Sequence, residues 1–245
     1  MNSNVGFEII NGKKIFHIIT EPDKTEKKIV IMSHGFRGSS IGPSRTFVDF
    51  ENLLIKNGFS TLRFDQPCGG NSEGDYIDSS FNEWIDTTTY FAKKYLDLGY
   101  KVALLGQSMG ATATMIVASK SELKDKIPCI ILWVPGVNDV EFKGGSDEVL
   151  EEGGQKYKGR FWIESRTADF FQCIKDYEGG IHLVYGENDR YISEELRNKV
   201  IGEVKAKNQP YMILSGQDHS PWDFDIAQNV YQEELAFLQK HIGSC

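Results

Sequence analysis

The chain has 245 residues, 40% hydrophobic and 25% charged, with a formal net charge of -8. That length holds one large domain or two small ones with a sizeable buried core, in the proportions of an ordinary globular protein. The acidic balance disfavours a nucleic-acid-binding surface, and no apolar run reaches the length of a membrane span.

The first residues carry neither a basic n-region nor an apolar h-region, so no secretory leader is expected. Cys68, Cys129, Cys173 and Cys245 lack paired spacing and read as free thiols of a cytoplasmic protein, not as a disulfide frame or zinc site.

In chain order, residues 7–10 and 14–19 flank Asn11-Gly12, a strong hairpin signal. Residues 28–33 form a continuous apolar strand, of the kind covered on both faces, and run into His34-Gly35-Phe36-Arg37-Gly38. Phe47, Phe50, Leu53 and Leu54 recur at helical spacing over 46–57, and Gly58 stands where a helix ends. A strand over 60–64 ends at Asp65, and a Gly-rich loop runs from there to residue 78. A helix over 81–98 carries Trp84, Phe91 and Tyr95. A buried strand over 102–105 enters Gly106-Gln107-Ser108-Met109-Gly110 and then a helix of small residues.

Another buried strand, 129–134, stops at Pro135-Gly136. The alternation then breaks until Tyr177, across a stretch rich in glycine, charge and aromatics. A connection that long is usually functional, and 136–177 reads as a cap inserted into a single domain. A strand over 180–185 leads into Gly186-Glu187-Asn188-Asp189. Ser193 caps the next helix, whose first turn holds two glutamates. The last strand, 210–214, precedes Gly216-Gln217-Asp218-His219, and a final helix runs from about Asp223 to His241. A hairpin followed by alternating strands and helices predicts an α/β fold, a doubly wound and mostly parallel sheet.

In such a sheet the loops at the carboxyl ends of the strands gather into one crevice. Here four of them carry reactive groups: 34–37, 106–110, 186–189 and 216–219. The Gly-x-Ser-x-Gly turn has its own mechanics. A serine at the tip of a sharp strand-to-helix turn is held in a strained conformation, and the positions two before and two after it must lack side chains.

These motifs resemble the α/β-hydrolases over nearly the whole chain: His-Gly-Phe after an early strand, Gly-x-Ser-x-Gly centrally, Gly-x-x-Asp after a late strand, Asp-His before the last helix. The texture is most similar to the small carboxylesterases of the cinnamoyl/feruloyl-esterase and serine-aminopeptidase-like group. The resemblance implies Ser108 as nucleophile, His219 as its base and Asp189 as the acid that orients the imidazole. Glu187 is the nearest competitor for the acid. Asp218 ranks lower because side chains adjacent in sequence usually diverge. His17 and His182 lie within strands, His241 near the C-terminus, and His34 is placed to order the loop it begins.

The backbone N–H groups of Phe36 and Met109 are the expected oxyanion donors, each contributing about 3–4 kcal/mol to barrier lowering. Arg37 is a candidate contact for an anionic substrate group. Trp222 and the cap aromatics Phe161, Trp162, Phe170 and Phe171 are candidates for the walls of an apolar pocket. Cys68, with no base nearby in sequence, reads as inert.

Serine at the elbow selects acyl transfer. No metal or organic cofactor is expected, and the lysine of a phosphate-binding loop is absent. The leading expectation is a carboxylesterase acting on small or medium acyl or aryl esters. Thioesterase and amidase or peptidase use the same triad. A ligand-binding protein retaining the fold, or one whose charged 139–160 stretch binds a partner, are alternatives of another class. The expected partner is a small-molecule ester or thioester, with no nucleic acid and no membrane. Nothing in the sequence sets an oligomeric state.

Overall fold

The computed structural model describes residues 2–24, 26–137 and 142–243. The hairpin turn Asn11-Gly12 has φ values of 48° and 81°, the left-handed pair that a tight two-residue turn needs. It joins β1 (Asn2–Ile10) to β2 (Lys13–Glu21) with Ile10 opposite Lys13. Strand β1 starts at Asn2, well before the apolar residues that mark it in sequence. Asn2, Ser3 and Asn4 pair with Glu21, Thr20 and Ile19 through the main chain, which no hydropathy pattern registers.

Then follow β3 (Lys28–Ser33), α1 (Thr46–Lys56), β4 (Ser60–Phe64), α2 (Phe81–Asp97), β5 (Lys101–Gln107), α3 (Met109–Ser119) and β6 (Cys129–Trp133). The segment 136–177 holds β7 (Val149–Glu152), β8 (Gln155–Lys158), α4 (Arg160–Glu164) and α5 (Phe170–Asp176). The chain closes with β9 (Gly180–Gly186), α6 (Glu194–Ala206), β10 (Tyr211–Leu214) and α7 (Phe224–Ile242).

The main sheet has eight strands in the order β1-β2-β4-β3-β5-β6-β9-β10. Pairing is antiparallel from β1 to β4 and parallel from β4 onward. As the sequence predicts for β3 and β6, every residue of these strands is buried, and so is every residue of β4 and β9, so side chains on both faces meet helices. Trp133 of β6 packs on Phe47 and Phe50 of α1 and stacks on Tyr231 of α7, with ring centroids 5.7, 5.9 and 5.8 Å away. Phe91 of α2 packs on Phe64 of β4 at 5.0 Å. Burial of side chains this large contributes about 1.5–3 kcal/mol each. Ser80, Asp169 and Ser193 cap α2, α5 and α6, their side chains accepting from first-turn amides.

Strands β7 and β8 form a separate antiparallel pair. Polar ties join this segment to the rest of the molecule. Lys158 donates to Asp78 Oδ1 at 2.7 Å, the Arg160 guanidinium donates to the Asp78 carbonyl, and Ser80 Oγ donates to Glu164 at 2.6 Å. The expected partner-binding stretch 139–160 falls partly outside the described residues. Among the described residues no helix is long and apolar enough to cross a membrane.

Candidate active site

Ser108 stands between β5 and α3 with φ 55° and ψ -124°, a conformation that costs a non-glycine residue about 1–3 kcal/mol. The surroundings over-determine it. The Ser108 amide donates to the Trp133 carbonyl at 2.8 Å, and the Ser108 carbonyl accepts from the Ala111 and Thr112 amides at 2.9 and 3.2 Å. A Cβ on Gly106 would lie 2.3 Å from the Gly110 carbonyl oxygen. One on Gly110 would lie 2.2 Å from the Ser33 oxygen and 2.4 Å from that of His34. The elbow is thus pressed against the end of β3 as well as against its own helix, which explains both glycines.

His219, on the loop after β10, reaches Ser108 from the other side. Its Nε2 lies 2.9 Å from Ser108 Oγ and its Nδ1 lies 2.7 Å from Asp189 Oδ2. A carboxylate only accepts, so Nδ1 carries a proton, and in the neutral ring Nε2 is then the acceptor facing the hydroxyl. Asp189, on the loop after β9, is held by its second oxygen: Oδ1 accepts from the Tyr191 and Ile192 amides, each at 2.9 Å. Both Asp189 and His219 are buried.

The two competing acids are occupied elsewhere. Glu187 Oε2 accepts from Ser215 Oγ and the Gly216 amide at 2.9 and 2.8 Å, bracing the turn after β10. Asp218 pairs with Arg190 and accepts from the Arg190 amide at 3.0 Å. Arg190, with the two amides it and His219 present, holds the Asp218 carboxyl down to about 2. That pair clasps the Asp189 loop to the His219 loop. The Tyr191 ring sits edge-on to the His219 ring at 5.1 Å.

The 34–40 loop lies over the elbow and is tied from several sides. His34 Nε2 accepts from the Gln66 amide at 2.9 Å, which places the ring proton on Nδ1. That N–H donates to the Gly35 carbonyl at 2.8 Å. Burial pushes the His34 pKa down, against the smaller opposing effects of Gly35 and Asp65, and favours this neutral ring. The Gly35 carbonyl also accepts from the Gly38 amide at 3.0 Å. A trans peptide points its N–H opposite to its C=O, so anchoring that carbonyl fixes the direction of the Phe36 N–H. Further along, buried Asp65 accepts from the Ser40 amide at 2.6 Å and from the Asn71 amide at 2.7 Å. Arg63, paired with Glu51 in the core, donates to the Ser40 carbonyl at 2.8 Å. Among the described residues no hydrogen bond engages the amide of Phe36 or of Met109.

A cavity of about 770 Å³ opens beside Ser108, a size that suits a small-molecule ligand. Phe36, Met109, Val137, Phe142, Trp162 and Ile192 supply its apolar lining. Of the four cap aromatics expected there, only Trp162 borders it. Phe161 is fully buried against Phe36, Phe81 and Trp84, Phe170 is buried, and Phe171 lines a separate groove beside α6.

Trp222 does not border the cavity. The chain turns inward after His219 to reach α7, and the indole packs at 5.5 Å on Trp133. Arg37 does border it, but its Nη2 donates to Glu152 Oε1 at 2.7 Å, so its charge is already matched by the segment above. Burial pushes the Cys68 thiol up despite Lys13 Nζ at 3.4 Å, which keeps it protonated. Sequence reasoning missed Gln107, Tyr191 and Glu152. Gln107 alone had a signal, its place next to Ser108.

No family model and no curated protein sequence matches this chain. Solved structures do match it in shape. Est1E from Butyrivibrio proteoclasticus, with ferulic acid bound, superimposes with a TM-score of 0.84 at 21% identity, covering 97% of this chain and 99% of that one. The alpha/beta hydrolase GrgF from Penicillium sp. sh18 gives 0.83 at 14% identity, over 100% of both chains. Alpha/beta hydrolase domain-containing protein 10 from mouse gives 0.75 at 14%, over 97% and 99%. These likenesses establish the fold, which is that of the α/β-hydrolases.

Proposed function

We propose that this chain of α/β-hydrolase fold is a serine hydrolase that cleaves carboxylic esters of small or medium acyl or aryl acids. One observation carries the reading: an imidazole with Nε2 2.9 Å from Ser108 Oγ and Nδ1 2.7 Å from a buried, doubly braced carboxylate. The cavity beside Ser108 and the ferulic acid held by the structurally similar Est1E support the substrate class.

Ser108 Oγ attacks the ester carbonyl carbon while its proton passes to His219 Nε2. The charge that develops on the carbonyl oxygen is met by the Phe36 and Met109 N–H groups. Asp189 stabilises the imidazolium that has formed. The tetrahedral centre collapses, the carbon–oxygen bond to the alcohol breaks, and His219 returns the proton to the departing oxygen. Water then attacks the acyl-enzyme and gives up a proton to His219. The second tetrahedral centre collapses, the carbon–Oγ bond breaks, His219 returns that proton to Ser108 Oγ, and the acid leaves. The free thiols Cys68, Cys129 and Cys173 suit a reducing compartment such as the cytoplasm.

Pre-steady-state hydrolysis of p-nitrophenyl esters of increasing chain length tests the reading. A burst near one equivalent, abolished in Ser108→Ala, is the expected result. Absence of a burst together with no labelling of Ser108 by a fluorophosphonate refutes it. A parallel panel of thioesters and aminoacyl amides fixes the leaving group.

A further inference from the structure

We infer that Gln107 is a positioning residue of the proposed hydrolysis, the tie that sets the Phe36 loop at a fixed distance from the nucleophile elbow. The inference rests on the reading of Ser108 as nucleophile and of the Phe36 and Met109 amides as oxyanion donors. Those two donors come from segments far apart in sequence. They can meet one oxygen only if their separation is held to a few tenths of an ångström, because hydrogen bonds weaken steeply with distance and angle.

Gln107 spans that gap. It is the last residue of β5, so its main chain continues directly into Ser108 and Met109. Its side chain crosses to the other segment, where Oε1 accepts from the Gly35 amide at 3.0 Å. The partner is a donor, so the carboxamide oxygen and not its NH₂ must face Gly35.

The fit is close. A Cβ on Gly35 would lie 2.6 Å from Gln107 Oε1, 3.0 Å from the Gln107 carbonyl oxygen and 2.9 Å from Ser108 Cβ. Gln107 is itself buried. The peptide before Gly35 is therefore held by Gln107, and the peptide after it by His34 and Gly38. With both planes fixed, the Phe36 N–H has one direction. Neither His219 nor Asp189 bonds to Gln107, so its loss leaves the base and its orienting acid as they are.

The test is Gln107→Met, which keeps length and removes the acceptor. On a p-nitrophenyl ester, kcat is expected to fall 10–100-fold. KM should stay within threefold and the pH midpoint of kcat should not move. Labelling by a fluorophosphonate, whose phosphoryl oxygen occupies the oxyanion position, slows by a similar factor. Gln107→Glu, which keeps an acceptor at the same reach, is expected to restore protection of the Gly35 amide from hydrogen exchange. A kcat within threefold of wild type, or a loss carried by KM alone, overturns the inference.

Should Gln107→Met fail to fold, exchange of the Gly35 amide in the wild-type protein decides. Slow exchange is expected, and the rate of a free loop amide overturns the inference. Full activity in Ser108→Ala would instead sink the functional reading, so the two failures are distinguishable.

Discussion

Asp189→Asn is the sharpest perturbation of this site, because the structure dictates how the new side chain must sit. Asp189 Oδ1 accepts from two amides, Tyr191 and Ile192, and Oδ2 accepts from His219 Nδ1. Asparagine has one acceptor oxygen. Turned to serve His219, its NH₂ would confront two N–H donors and leave both unsatisfied, each costing about 1–3 kcal/mol. The carboxamide therefore keeps its oxygen on the two amides and presents NH₂ to His219. The imidazole must then accept at Nδ1 and carry its proton on Nε2, so it can no longer take one from Ser108. A wrong tautomer in an intact triad of this kind lowers kcat by about 10⁴-fold, or about 5 kcal/mol of transition-state stabilisation. The loop should stay folded, since its two braces survive. The assay is kcat/KM on p-nitrophenyl butyrate, with thermal melting to show that the fold persists. Glu187→Gln is the control and should stay within about threefold, since Glu187 braces a turn and does not contact His219. Less than a tenfold loss in Asp189→Asn, or a larger loss in Glu187→Gln, would refute the assignment.

Gly110→Ala should destabilise by about 3 kcal/mol or more, since its Cβ meets main-chain oxygens of Ser33 and His34 that cannot move alone. Gly216→Ala, where φ is 71° but no atom lies within 4 Å of the added carbon, should cost about 1 kcal/mol, and urea melts separate the two. Glu51→Ala strands Arg63 in the core and should cost about 3–5 kcal/mol, with a loss of activity because Arg63 anchors Ser40; denaturation and kcat on the same samples check both. The Arg190–Asp218 clasp gives a pH signature. The folded carboxyl, at about 2, titrates below its ordinary value of 3.8, so its contribution is present above pH 4 and disappears as the pH falls through 2. The melting-temperature difference between wild type and Arg190→Ala should follow that course, and a difference that grows on acidification would contradict it.

Most of the sheet was legible because its strands are buried on both faces. Residues of β3, β5, β6 and β9 form apolar runs that no solvent-facing element would carry. The elbow was legible because backbone crowding at 106 and 110 leaves only glycine. The 136–177 segment was not. Strands β7 and β8 are short, polar and mostly exposed, and the ties that join the segment to residues 37, 78 and 80 come from distant parts of the chain. Trp222 misled for a related reason. Nearness to His219 in sequence says nothing about direction once the chain turns from the sheet edge into α7.

The 34–40 loop shows where the remaining information resides. His34, Gln107, Asp65, Arg63 and Glu51 are five polar residues with no common spacing, and singly each reads as an ordinary strand-end or core-edge side chain. Together they fix one loop at Gly35 and Ser40. Three of them, Asp65, Arg63 and Glu51, are charged and buried, an arrangement that adds little net stability compared with apolar packing. What it adds is direction, since a hydrogen bond constrains angle where an apolar contact constrains only distance. Under the proposed function the loop presents a single N–H to a developing charge, and that role needs direction above all. The strained serine and the polar network beneath the loop are then two sides of one requirement. Ser108 is held in a conformation it would not choose, and the Gly35–Phe36 peptide beside it is held through its carbonyl and its neighbour so that it has no other orientation to adopt.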